Sequence, residues 1–208
     1  MRPDLVVIHF TAMTDTGSAL DRLCDPVAEV SAHYLIDPDG IVHAMVPEDV
    51  RAWHAGAGAW GGVVDVNSRS VGIELCNDGR SPFAAAQMDA LEEMLRGIMS
   101  RWSIPRERII GHSDCAPGRK ADPGRRFDWA RLAMRGLAAP TPSSLQTGRF
   151  VDDMRRAGYT ATDDPAILLA ALRLRHRPWA CGPRDARDEA IAHGLARDFP
   201  VDRKGASG

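Results

Sequence analysis

The sequence predicts an α/β protein: a mixed β-sheet flanked by helices, with a small all-α module at the C-terminus. Three observations carry this. Short β-branched runs alternate with helical patterns up to residue 137, the order that builds such sheets. One long segment repeats apolar residues at Ala84, Met88, Leu91, Leu95, Ile98 and Trp102, spacings that give a single helical stripe. Beyond a Pro- and Ser-rich stretch the pattern becomes purely helical. The expected division is residues 1–139, a linker at 140–148, and a helical module at 149–208.

The elements follow in order. "LVVIHF" (5–10) is short, apolar and β-branched, a buried central strand. Residues 17–24 suit a short helix. "AHYLIDPDGIVHAMV" (32–46) holds two apolar runs around "DPDG", whose Asp-Gly ending signals a hairpin. "VRAWHAG" (50–56) reads as a strand end entering a Gly-rich loop. In "SVGIELCN" (70–77), Val71, Ile73 and Leu75 share one face, and Gly72, Glu74 and Cys76 the other. Glu74 is therefore expected to project on a side where Gly72 leaves open space.

Ser81 is the expected N-cap of the long helix, with Pro82 at its first position. "IPRERIIGH" leads into a short strand ending at His112, and a helix of one or two turns is expected within 127–137. "AAPTPSSLQTG" (138–148) is linker by composition. In the tail, residues 150–157, "AILLAALRLR" after Asp164-Pro165, and "RDEAIAHGLARDF" read as helices. A module of about 60 residues is marginal as an independent fold, so it is expected to pack against its neighbour.

Composition narrows the function. The 208 residues are 44% hydrophobic, enough for one domain and an appendage. Net charge is −2 with no basic stripe, which excludes a nucleic-acid binder. No apolar run reaches the ~20 residues of a membrane span, and none forms a signal-peptide core. A cytoplasmic location is expected, with a periplasmic or envelope location as the alternative for a trimmed chain. Cys24, Cys76, Cys115 and Cys181 lack metal or redox spacing and are expected to be free thiols. Nothing signals an obligate protein partner.

The chemistry concentrates in "GHSDCAPGRKADPG" (111–124), a loop broken by Pro117, Gly118, Pro123 and Gly124. His9 lies in the first strand, His112 ends a later one, and Asp122 follows ten residues on. Two imidazoles and a carboxylate suit Zn²⁺ with its fourth position open, the catalytic arrangement. The alternative is a core histidine and an ordinary strand-end residue. Glu74 is a candidate general base or a solvent-facing strand glutamate. Lys120 is a candidate oxyanion stabiliser or a surface lysine.

His33 and His43 read as structural or solvated. His54, after Trp53, borders the Gly-rich loop and is a candidate cleft residue. Trp60 either stacks on a sugar or peptide or plugs its loop. His176 and His193 are expected at the surface. Asp114 and Cys115 receive no chemistry.

"VVIHFTA", "SAHYLIDPDG", "AWHAG", "NSRSVGIELCN" and "IIGHSDCAPGRKADPG", in that order over residues 4–137, resemble the type-2 N-acetylmuramoyl-L-alanine amidases. The resemblance implies one Zn²⁺ held by His9, His112 and Asp122, Glu74 as catalytic acid/base, and Lys120 assisting at the transition state. It implies hydrolysis of the amide between the lactyl group of N-acetylmuramic acid and L-alanine of the stem peptide. Peptidoglycan fragments or muropeptides, anhydro forms included, would be the partners, in cell-wall recycling or turnover. Trp53, His54, Trp60 and Asn77 are the substrate-binding candidates.

Phage and animal members of this fold typically carry Cys at the third ligand position and Tyr before the histidine matched by His33. Asp122 and Ala32 stand there instead, as in the bacterial recycling branch. The tail resembles, more weakly, a three-helix peptidoglycan-binding-like domain. The competing reading is a non-catalytic peptidoglycan-binding protein of the same fold. Such a binder can lose a ligand or the glutamate; this sequence keeps all five residues.

Overall fold

Five strands form one sheet: β1 (Leu5–Phe10), β2 (Tyr34–Ile36), β3 (Val42–Ala44), β4 (Ser70–Leu75) and β5 (Ile109–Gly111), in the order β3-β2-β4-β1-β5. The structure is a computed structural model that describes residues 1–202; residues 203–208 of the expected helical module lie outside the described residues. β1 is parallel to β4 and β5, and β2 is parallel to β4. Only β3, the hairpin partner of β2, runs antiparallel at the edge. Parallel strands are normally covered on both faces, and the core is arranged accordingly.

Strand alternation assigns the two faces. Val6 and Ile8 of β1, with Val71, Ile73 and Leu75 of β4, pack against helix α2 (Ala85–Trp102) through Met88, Leu91, Leu95 and Ile98. Leu5 and Val7 face the other way, into a cluster with Trp60, Phe150, Met154 and Leu168. That second layer is supplied by the C-terminal helices α5 (Phe150–Ala157), α6 (Pro165–His176) and α7 (Ala186–Asp198). Helices α1 (Thr16–Cys24), α3 (His112–Cys115) and α4 (Trp129–Met134) complete the chain order. Asp164 caps α6 by accepting from the Ala166 and Ile167 amides, with Pro165 at the first position.

One buried carboxylate ties the tail to the sheet. Asp114, fully buried, accepts from Tyr159 Oη at 2.8 Å, from Arg175 Nη1 at 2.5 Å and from the Gly111 amide at 2.8 Å. Arg175 also donates to the Ile109 carbonyl at 3.1 Å, and its guanidinium lies 3.9 Å over the Trp129 ring. A buried ion pair offsets its desolvation only when the remaining hydrogen-bonding groups are satisfied. Here the carboxylate has donors from β5, from α6 and from the turn after α5.

Several expectations need correcting. Residues 50–56 are not a strand but an irregular segment. The long helix starts at Ala85, with Ala84 as N-cap and no side-chain cap. Ser81 is occupied earlier: its amide donates to Asp78, and Asn77 Nδ2 donates to the Ser81 and Pro82 carbonyls. These bonds fold 77–83 into a loop of its own. His176 is not a surface residue; it is buried, with Nδ1 3.0 Å from Thr141 Oγ1. The four cysteines are free thiols, Cys76 and Cys115 buried, Cys24 and Cys181 exposed. Among the described residues no helix is long and apolar enough to cross a membrane.

Replacing Asp114 with alanine strands a buried guanidinium and a buried phenol. The expected loss is about 3–5 kcal/mol, the range for breaking a buried pair by removing one partner. Denaturant unfolding of Asp114→Ala should show a single transition at a much lower midpoint. A midpoint equal to that of the wild type would mean that this carboxylate does not hold the tail.

Candidate metal centre and active-site cavity

Sheet register builds the site. His9 pairs with Glu74 across β1 and β4. Ile8 pairs with Gly111, one residue before His9 and His112 on β1 and at the start of α3. His9, Glu74 and His112 therefore stand in one row at the carboxyl ends of parallel strands, where open α/β sheets place their ligands. The loop after α3 returns to the same place: the Ser113 amide donates to the Asp122 carbonyl at 2.9 Å, which brings the Asp122 side chain beside the row.

Three atoms converge. His9 Nδ1 is 3.0 Å from His112 Nδ1 and 2.9 Å from Asp122 Oδ2, and His112 Nδ1 is 3.1 Å from Asp122 Oδ2. His9, His112 and Asp122 are all buried. They form the cluster capable of holding a metal ion among the described residues. Zinc binds imidazole nitrogen and carboxylate oxygen, and three protein ligands leave a fourth position for water or substrate. The residues fit such an ion on a second count: Glu74 Oε2 is buried without a hydrogen-bond partner and belongs to the same cavity.

Electrostatics agree with a cation-seeking site. Burial, then the adjacent His112, push the His9 imidazole down to about 4. Burial opposes ionisation of Asp122, yet the His112 and His9 rings beside it hold its carboxyl well below the usual carboxylate range. Burial, then the nearby Asp122 charge, push Glu74 up to about 8, while Lys120 pulls the other way. Two carboxyl groups thus differ sharply in proton affinity within one cavity, the pattern that separates ligand from acid/base.

The cavity has a volume of about 280 Å³ and opens between α1 and this row; Lys120, Trp53 and His54 belong to its wall. Trp53 is 57% exposed at the rim, with the Arg51 guanidinium 4.9 Å over its ring. The space beside Gly72 is not open: a Cβ there would lie 2.4 Å from the His54 ring, which fills it. Trp60 is outside the cavity, buried edge-on against Tyr159 with Gly158 beneath its ring. Asn77 also lies outside, its side chain spent on the 77–83 loop. His33 is buried and hydrogen-bonded at both nitrogens, to Val50 O and the Gly72 amide. His43 is partly buried and His193 pairs with Asp153 at 3.2 Å.

Several residues beside the site had no sequence signal. Arg119 donates to the Ala55 and Ala57 carbonyls, Asn67 accepts from two amides of the same segment, and Arg22 reaches the cavity wall from α1. Backbone carbonyls leave no trace in a sequence, so partners chosen to meet them leave none either.

Residues 1–125 match the family model described as N-acetylmuramoyl-L-alanine amidase. The chain is 33% identical to the N-acetylmuramoyl-L-alanine amidase AmiD of Escherichia coli K12, over 97% of this chain and 85% of that protein. It is 43% identical to the 1,6-anhydro-N-acetylmuramyl-L-alanine amidase AmpD of Enterobacter cloacae, over 63% of this chain and 79% of that one. Among solved structures, the E. coli AmiD complex with anhydro-N-acetylmuramic acid-L-Ala-D-gamma-Glu-L-Lys superposes with a TM-score of 0.88 at 32% identity, covering 97% of this chain and 91% of that one. AmpDh3 of Pseudomonas aeruginosa with an anhydromuramic pentapeptide gives 0.86 at 29% identity, covering 97% and 94%. The chain belongs to the N-acetylmuramoyl-L-alanine amidase family.

Proposed function

We propose that this protein hydrolyses the amide between the lactyl carbonyl of N-acetylmuramic acid and L-alanine of the stem peptide, acting on muropeptides, anhydro forms included, with one Zn²⁺ held by His9, His112 and Asp122. One observation supports this most: three donor atoms converge in a cavity that also contains Glu74 and Lys120. The ligands in the AmiD and AmpDh3 complexes support the same substrate class.

A zinc ion there would supply Lewis-acid polarisation of the carbonyl and a water whose pKa falls to about 7. The protein's own residues do the rest. Glu74 takes a proton from the attacking water as the C–O bond forms. The Glu74 carboxyl then holds that proton and passes it to the alanine nitrogen as the C–N bond breaks. Lys120 lines the same cavity, and its ammonium stabilises the negative charge that develops on the carbonyl oxygen. Trp53 at the rim offers an apolar face to the substrate.

Incubation with an anhydro-muropeptide should release free stem peptide, seen by mass spectrometry, and chelation should stop it. Glu74→Ala should lower turnover by ~10²–10⁴-fold, the usual contribution of a positioned acid/base. A wild type that binds muropeptide but releases nothing is the non-catalytic binder of the same fold.

Glu74 also carries a stability signature. Its ordinary value is 4.5 and its buried value about 8. Between these, the native state holds a proton that the unfolded chain has released, so stability falls as pH rises. The contribution is fully present below pH 4.5 and lost through about pH 8. In metal-free protein, Glu74→Gln removes this dependence. Its melting temperature should therefore gain on that of the wild type from pH 5 to pH 8. A gap that stays constant with pH would show that Glu74 is not held protonated by burial.

A further inference from the structure

We propose that residues 54 and 55, pinned by Asn67, form a bracket that orients both histidine ligands, so that His54 and Asn67 are positioning residues of the metal centre and not part of the substrate surface. The inference rests on the metal-binding reading above and extends it to groups that never touch the ion.

Hydrogen-bond direction carries the argument. A carbonyl oxygen can only accept. Ser70 Oγ lies at 2.5 Å from the Val66 carbonyl, so the Ser70 hydroxyl proton is committed there. Ser70 Oγ is then an acceptor toward His54 Nε2, 3.3 Å away, which places the His54 proton on Nε2. His54 Nδ1 is left as an acceptor, and it faces His9 Nε2 at 3.0 Å. His9 must therefore donate from Nε2, which leaves the lone pair of Nδ1 pointing at His112 and Asp122. Starting from one backbone carbonyl, the chain fixes each tautomer in turn.

The next residue does the same for the second ligand. His112 Nε2 lies 2.8 Å from the Ala55 carbonyl, which takes its proton and leaves His112 Nδ1 as the free lone pair. Arg119 Nη2 donates to the same carbonyl at 2.6 Å and to that of Ala57. His54 and Ala55 are adjacent, and a single buried atom holds both: Asn67 Oδ1 accepts from the His54 amide at 3.0 Å and the Ala55 amide at 2.8 Å. Gly72 makes room for the His54 ring, since a Cβ would lie 2.4 Å from it. His33 meets the ring edge-on at 5.8 Å between centroids. His54 lines the cavity, but both of its ring nitrogens are already engaged.

Such outer partners fix the tautomer and ring orientation of metal-binding histidines, and losing one weakens metal affinity by about 10–100-fold. The test uses Zn²⁺ alone, in competition with a chromophoric chelator. Asn67→Leu and His54→Leu remove the acceptors and should each bind Zn²⁺ about 10–100-fold more weakly. Asn67→Asp keeps an acceptor for the two amides, and His54→Asn keeps one for His9 Nε2–H; both should stay near wild type. Imidazole nitrogen NMR on the zinc-loaded wild type should find the protons of His9, His54 and His112 on Nε2. That arm needs no variant to fold. A His54 proton on Nδ1, or leucine variants that bind Zn²⁺ as tightly as the wild type, would overturn the bracket while leaving the metal site intact. A wild type that takes up no Zn²⁺ would overturn both.

Discussion

Three acceptor atoms held about 3 Å apart repel one another unless a cation lies among them. His9 Nδ1, His112 Nδ1 and Asp122 Oδ2 are in that situation, and much of the protein serves to keep them there. Parallel register brings His9 and Glu74 level. The loop after α3 folds back to deliver Asp122. Left free, two imidazoles would turn their N–H groups toward the carboxylate and close the site with hydrogen bonds of their own. The His54 ring and the Ala55 carbonyl oppose that by taking the protons on the far side.

The same economy explains the tail. Odd-numbered positions of β1 face the C-terminal helices: Leu5 and Val7 are covered by them, and His9, the next in that series, emerges where the cover ends. Behind the metal-binding loop, Asp114 lies two residues from His112 and receives Tyr159 and Arg175 from the tail. A shift of α6 relative to β5 would therefore move the backbone that carries His112. The likeness to AmiD and AmpDh3 covers nearly the whole chain, whereas the likeness to AmpD of E. cloacae covers 63% of it. In this protein the helices α5, α6 and α7 form one wall of the core that holds the site.

The legible part of the fold was the part with periodicity. β4 and the stripe of α2 follow from alternation and four-three spacing, β1 from its short β-branched run, the hairpin from its Asp-Gly turn, and α6 from its Asp164-Pro165 start. The five residues proposed for the site were candidates by residue type alone, each with an ordinary structural reading beside it, and the family resemblance of their motifs is what joined them into one site. Positions whose role depends on distant packing were not legible. Trp60 looked like a loop aromatic, but Gly158 and Tyr159, a hundred residues on, make a socket for it. Asn77 looked like a polar residue near the site, but the nearest unpaired groups were the Ser81 and Pro82 carbonyls. His176 looked exposed because the linker that buries it has no pattern of its own. His54 was placed beside the cavity but given to the substrate, since a sequence does not reveal which way a proton points.

Glu74 shows how such a site differs from the rest of the sheet. Its neighbours in β4 are buried apolar residues that stabilise the fold by leaving water. Glu74 instead keeps a buried, unpaired oxygen, which native structures retain rarely and at a loss of stability. Hydrogen-bonding that oxygen to a neighbouring donor would remove the penalty and also lower the proton affinity that the proposed proton transfer requires. The strain is tolerable because it is confined to one carboxyl at a strand end, flanked by β1 and β2 and supported by the apolar face below. Destabilisation at Glu74 and order in the histidine bracket are thus complementary: one group is left poised by the absence of partners, the others are fixed by having all of theirs.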